Sequence, residues 1–126
     1  MGGAKRGKHS KQTFVMLRHD MMRSEAYQSL RPADRVVYHE VLGRYNGFNN
    51  GFIQLACREA AILCNISKTT ASRAFDALIE RGFIKVGKDS VFNMKNHHSR
   101  EWIITHETLS ANIAPTNEWK EWKRKN

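Results

Sequence analysis

No stretch of this chain is apolar for long enough to cross a bilayer, because polar or charged residues interrupt every hydrophobic run well short of the roughly 20 residues a spanning helix needs. Its first residues, MGGAKRGKHSK, are glycine-rich and basic where a secretory leader would carry an apolar core. The expected location is therefore the cytoplasm, in association with the nucleoid, and no membrane partner is expected. Cysteine is scarce as well. Cys57 and Cys64 stand seven residues apart, which on one helix is about 10 Å of axial rise. That is too far for one zinc ion with sulfur bonds of about 2.3 Å, and too far for a disulfide. Both are expected as buried, reduced thiols. His97 and His98 are adjacent in a polar stretch with no partner at a metal-ligand spacing, so no metal and no other cofactor is expected. A glycine-rich phosphate loop, a nucleophile motif and a carboxylate pair set in an evident cleft are all missing, which argues against an enzyme and leaves no small-molecule ligand evident.

What is present is positive charge, unevenly spread. The 126 residues suit one domain, and its formal net charge is +9. Residues 24–66 are balanced, whereas residues 1–23 carry six basic against one acidic residue. Residues 67–94 and the last 32 residues also carry an excess of two each. Basic arms around a neutral scaffold suit a polyanion.

Organisation follows from periodicity and turn residues. Residues 1–12 are expected as a disordered basic arm, residues 13–106 as the folded domain, and residues 107–126 as a linker and a short basic tail with Trp119 and Trp122. Phe14, Val15, Met16 and Leu17 form an apolar run too short for a helix, expected as an extended segment laid against the domain. Ser24 can cap a short helix containing Ala26, Tyr27 and Leu30. Pro32 suits a helix start, and Val37, Val41, Leu42 and Tyr45, with Val36 and Tyr38 beside them, make a wide apolar stripe. Asn46, Gly47, Asn49, Asn50 and Gly51 mark a loop.

Residues 52–84, FIQLACREAAILCNISKTTASRAFDALIERGFI, read as strand, helix, tight turn, helix and strand. Ala56, Ala60, Ile62 and Leu63 supply the apolar face of the first helix, and Asn65, Ile66 and Ser67 make the break. Ala71, Ala74, Phe75, Leu78 and Ile79 repeat along the second helix, over residues 67–81, until Gly82 ends it. The expected class is mainly α with a small antiparallel sheet (α+β). Ser67 is a good N-cap. Lys68, Thr69, Ser72 and Arg73 fall opposite Phe75 and Leu78, within the first two turns. Asp76 and Glu80 come later, so the sign gradient along the helix favours an anion at its N-terminal end.

The pattern Ser67-Lys68-x-Thr70-Ala71-x-Arg73-Ala74 followed by Leu78-x-x-x-Gly82-Phe83-Ile84 resembles a winged helix-turn-helix domain. The runs RVVYHEVLGRYNGFNNGFIQL, SKTTASRAFDALIERGFIKV and EWIIT are similar to those of small bacterial, phage and plasmid helix-turn-helix and replication-protein-like domains. The likeness spans about residues 14–105. It implies a winged helix-turn-helix fold with helix 67–81 in the major groove. Phe83, Ile84, Lys85 and Val86, then Trp102, Ile103, Ile104 and Thr105, are the expected wing strands, with Val91, Phe92 and Met94 as an extra strand between them. Lys88, Lys95, His97, His98 and Arg100 would place a basic wing tip on the phosphate backbone.

The function expected is sequence-specific binding of double-stranded DNA, by a transcriptional regulator with Ser67, Lys68, Thr69, Thr70, Ser72 and Arg73 at the groove. The runner-up is a replication-initiation or partition-type DNA-binding protein of a phage or plasmid. A protein-protein interaction module is the alternative of another class. A regulator usually binds as a dimer on repeated half-sites, and residues 111–126 are the candidate element for a homodimer. Trp119 and Trp122 could anchor a terminal helix on the domain, on a second copy or on a membrane surface, and eight residues favour a protein surface.

Overall fold

A computed structural model describes residues 12–87, 101–110 and 112–125. They form a mainly helical fold with a small antiparallel sheet. Two short helices, α1 (His19–Met22) and α2 (Glu25–Gln28), are joined at Ser24, whose hydroxyl accepts the Tyr27 backbone N–H at 3.1 Å and so caps α2. The long helix α3 (Pro32–Gly43) starts at proline, where an orphan amide is lost at no cost. The Asp34 carboxylate accepts the Arg31 backbone N–H at 2.8 Å and faces the Arg31 guanidinium at 3.0 Å, which satisfies a carboxylate only 1% exposed. Val37, Tyr38, Val41 and Leu42 turn inward, whereas Val36, grouped with that stripe by spacing, lies 43% exposed on the outer side.

The loop after α3 is built from asparagine amides. Asn46 Oδ1 accepts the backbone N–H groups of Phe48 and Asn49, Asn49 Oδ1 accepts that of Asn46, and Gly47 and Gly51 take positive φ. Asn50 does more than turn the chain. Buried at 3% exposure, it accepts the Ile104 N–H through Oδ1 at 2.7 Å and donates through Nδ2 to the carbonyls of Ile104, Glu107 and Thr108. Every polar atom of its amide is thus paired inside the fold.

Strand β1 (Ile53–Gln54) leads into α4 (Cys57–Cys64) and α5 (Lys68–Glu80). Asn65, left-handed at φ 57°, reverses the chain between those helices, and the Ile66 N–H closes back on the Ala61 carbonyl at 3.0 Å. Strands β2 (Ile84–Val86) and β3 (Glu101–Ile104) follow, and the sheet order is β1-β3-β2, all antiparallel. Register places Trp102 opposite both Ile53 and Val86. The Trp102 ring stacks on Phe75 of α5 with centroids 4.7 Å apart and planes 5° from parallel, and its Nε1 donates to the Leu55 carbonyl at 2.9 Å. This pair joins sheet to helix. Tyr38, Tyr27 and Trp119 surround Phe83 to complete the core.

Three features depart from what spacing predicts. Ile62 and Leu63, expected on the inner face of α4, are 73% and 52% exposed, and the helix packs through Ala60 and Ala61 with Cys57 and Cys64 beside them. The small residues let α4 approach α3 and α5 closely, which larger side chains would prevent. Cys57 and Cys64 are reduced but only half-buried; partial burial, with Glu40 nearby, raises the Cys64 thiol above its ordinary range. Residues 14–17 are extended, yet only Leu17 packs against the core while Phe14 and Met16 are 80% and 63% exposed.

Of residues 107–126, Trp119 enters the core. A 3-10 helix (Glu118–Glu121) presses Trp119 onto Phe83 at 6.2 Å and 5°, leaving it 2% exposed. Trp122 Nε1 donates to Glu80 Oε2 at 2.9 Å, and the Arg81 guanidinium lies over the Trp122 ring. The tail therefore docks on its own domain. No helix among the described residues is long and apolar enough to cross a membrane.

Candidate nucleic-acid interface

The outward face of α5 is fixed by what its other face buries. Ala71, Ala74, Phe75, Ala77 and Leu78 are in the core, so the helix cannot rotate without emptying it. Ser67, Lys68, Thr69, Ser72, Arg73 and Asp76 are exposed, and Thr70 is half-buried at the edge. Thr69, Ser72, Arg73 and Asp76 have the i, i+3, i+4, i+7 spacing of a single helical stripe.

The start of the helix is rigidly capped. Ser67 Oγ accepts the Thr70 N–H at 3.0 Å and donates to Thr70 Oγ1 at 2.9 Å. Ser67 and Thr70 thus spend part of their hydrogen-bonding capacity on each other, which ranks them below Lys68, Thr69, Ser72 and Arg73 as groups open to a ligand. Ser67→Ala is expected to cost about 1 kcal/mol of stability through the lost cap. A urea titration checks this, and an unchanged midpoint would mean that the cap contributes nothing.

Electrostatics favour an anion at this end. The first turn of α5 contains no acidic residue, and its unpaired amides carry the positive pole of the helix. Among the described residues, Lys68 and Arg73 make no ion pair or side-chain hydrogen bond, and Arg73 leaves Asp76 unbridged although the i+3 spacing would permit a pair. Glu80, by contrast, is held by Trp122 and by Arg81 at 3.0 Å. Arg58, on the exposed side of α4 and likewise without a partner among the described residues, is a further free cation that the sequence pattern gave no reason to single out.

Lys88, Lys95, His97, His98 and Arg100, with Val91, Phe92 and Met94, lie outside the described residues, as do residues 1–11. The base of the β2–β3 connection is described. Gly87 donates its N–H to the Glu101 carbonyl, and a Cβ there would meet the Gly51 carbonyl oxygen at 2.6 Å, so only glycine fits. At the other end of α5 lies an open groove of about 460 Å³ that includes Ile79, Ile84, Val86 and Trp122, whose Lys85 and Glu118 pair with each other at 2.8 Å. Among the described residues, no group of three or more His, Cys, Asp or Glu is placed to hold a metal ion.

Comparison of the chain with protein-family models, with curated proteins and with solved structures gave no match.

Proposed function

We propose that the protein is a winged helix-turn-helix protein that binds double-stranded DNA in a sequence-specific way, with α5 in the major groove, its N-terminal end leading, and the β2–β3 connection on the adjoining backbone. The observation that carries this reading is the stripe Thr69, Ser72, Arg73 with Lys68 beside it: exposed, unpaired among the described residues, at the positive end of a helix whose opposite face is locked into the core. A major groove about 12 Å wide admits such a helix. The net charge of +9 adds sequence-independent attraction. A regulator acting as a homodimer on repeated half-sites is the preferred role, and a replication or partition function of a mobile element is the runner-up. Selection of bound duplexes separates the two, since a palindrome fits the dimer and clustered direct repeats fit an origin.

Arg73→Ala is expected to relax base choice at one position by roughly 1–3 kcal/mol, because the guanidinium fork can grip O6 and N7 of a guanine. Equal losses on cognate and random duplex would remove Arg73 from base reading. Affinity for any duplex should fall steeply with salt, by about 0.9 in log-log slope for each phosphate neutralised. A chain that binds no duplex at low salt would end the proposal. Exposed Ile62 and Leu63 on α4 favour the second reading, a protein-interaction surface; it predicts weak DNA binding with a shallow slope.

A further inference from the structure

We infer that Asp76 reads a cytosine, and so sets part of the base preference of α5; this rests on the DNA-binding reading above. Thr69 and Asp76 are seven residues apart and so only about 20° out of line along the helix. Both lie opposite the buried face of Ala71, Ala74 and Leu78, at the centre of the exposed stripe rather than at its rim. A groove floor that follows this stripe from Thr69 for two turns, about 10.5 Å along the axis, lies against Arg73 and Asp76 in turn. Its carboxylate is exposed and, among the described residues, makes neither an ion pair nor a side-chain hydrogen bond, in contrast to the occupied Glu80 one turn on.

A free carboxylate facing DNA is repelled by phosphate and by every acceptor on the groove floor. Only two exocyclic amino groups offer it a donor there, N4 of cytosine and N6 of adenine. Adenine sets its N7 acceptor next to N6, where a second carboxylate oxygen would meet a lone pair. Cytosine carries only a C5–H beside N4 on its own ring, with the paired guanine O6 on the far side, so cytosine is the base that this side chain accepts. Arg73, three residues earlier and about 4.5 Å back along the axis, has the complementary demand for guanine. The two together specify guanine and cytosine within about one or two base pairs of each other, given about 3.4 Å between successive nucleotides.

The test uses the full chain and its Asp76→Asn and Asp76→Ala variants, each put through selection from a random duplex library and each titrated against one random-sequence duplex at low salt. The wild type should select a cytosine at one position. Asp76→Asn should select adenine at that same position, since an amide matches N6 and N7 together. Asp76→Ala should be indifferent there, losing about five- to tenfold discrimination. It should also bind the random duplex more tightly than the wild type, because a repelled charge is gone. A move from cytosine to adenine in Asp76→Asn, within an otherwise unchanged motif, is a result that general damage to the fold cannot produce. One sharp motif shared by all three proteins would overturn the role of Asp76 and leave DNA binding standing. Failure of the wild type to retain any duplex would overturn both.

Discussion

Trp102→Ala is expected to cost roughly 3–5 kcal/mol, a large part of the 5–15 kcal/mol by which a domain is ordinarily stable. Trp102 is fully buried, sits on the central strand of the sheet opposite residues of both neighbours, and stacks flat on Phe75. Truncation removes the stack, opens a void against α5 and leaves the Leu55 carbonyl without its indole donor. Because Phe75 is on the inner side of the helix that carries Arg73, the loss should also blunt any DNA binding. Trp102→Phe should recover most of the packing while still lacking the hydrogen bond, and so fall between alanine and wild type. Urea titrations of the three proteins check the order. An alanine variant within 1 kcal/mol of wild type would mean that the ring stack contributes little beyond filling space.

The helix α5 was legible because a long amphipathic period needs only local information: Ala71, Ala74, Phe75 and Leu78 are buried at the spacing expected, Ser67 caps one end and Gly82 takes positive φ at the other. Helix α4 was misread at Ile62 and Leu63 because size was taken for burial, whereas close contact with two helices selects Ala60 and Ala61. Asn50 was legible as a turn former but not as the amide that ties loop to sheet, since its partners stand 54 to 58 residues away. The pairing of β1 with β3 is non-local in the same way, and two residues are too few to show a period. At the candidate site, the polar identity and phase of Lys68, Thr69, Ser72 and Arg73 could be read from spacing. The freedom of Asp76 could not, because whether it bridges Arg73 is settled by rotamers and not by sequence separation.

Trp119→Ala should be nearly as damaging as the loss of Trp102, although it lies in what the sequence presents as a tail. Its indole is buried at 2% exposure, stacked on Phe83, with the Arg18 guanidinium 5.9 Å from the ring. Full removal of a core aromatic is worth roughly 3–5 kcal/mol, and among the described residues no acceptor pairs with Trp119 Nε1, so its loss strands no described partner. The fit between tail and domain is tight from the other side as well. Gly82 takes φ +84° beneath the 3-10 helix, and a Cβ there would meet the Glu118 carbonyl carbon at 2.7 Å and the Trp119 nitrogen at 2.8 Å. The same glycine closes α5, through the Phe83 N–H on the Leu78 carbonyl at 2.9 Å. One residue thereby sets both where α5 stops and how closely the tail can seat. Trp122→Ala makes the contrast: Trp122 is only half-buried, and its bond to Glu80 is at the surface, so it should cost far less. Equal melting temperatures for Trp119→Ala and wild type would make the tail a passive appendage; a large drop confined to Trp119 makes it part of the support that holds α5 in place.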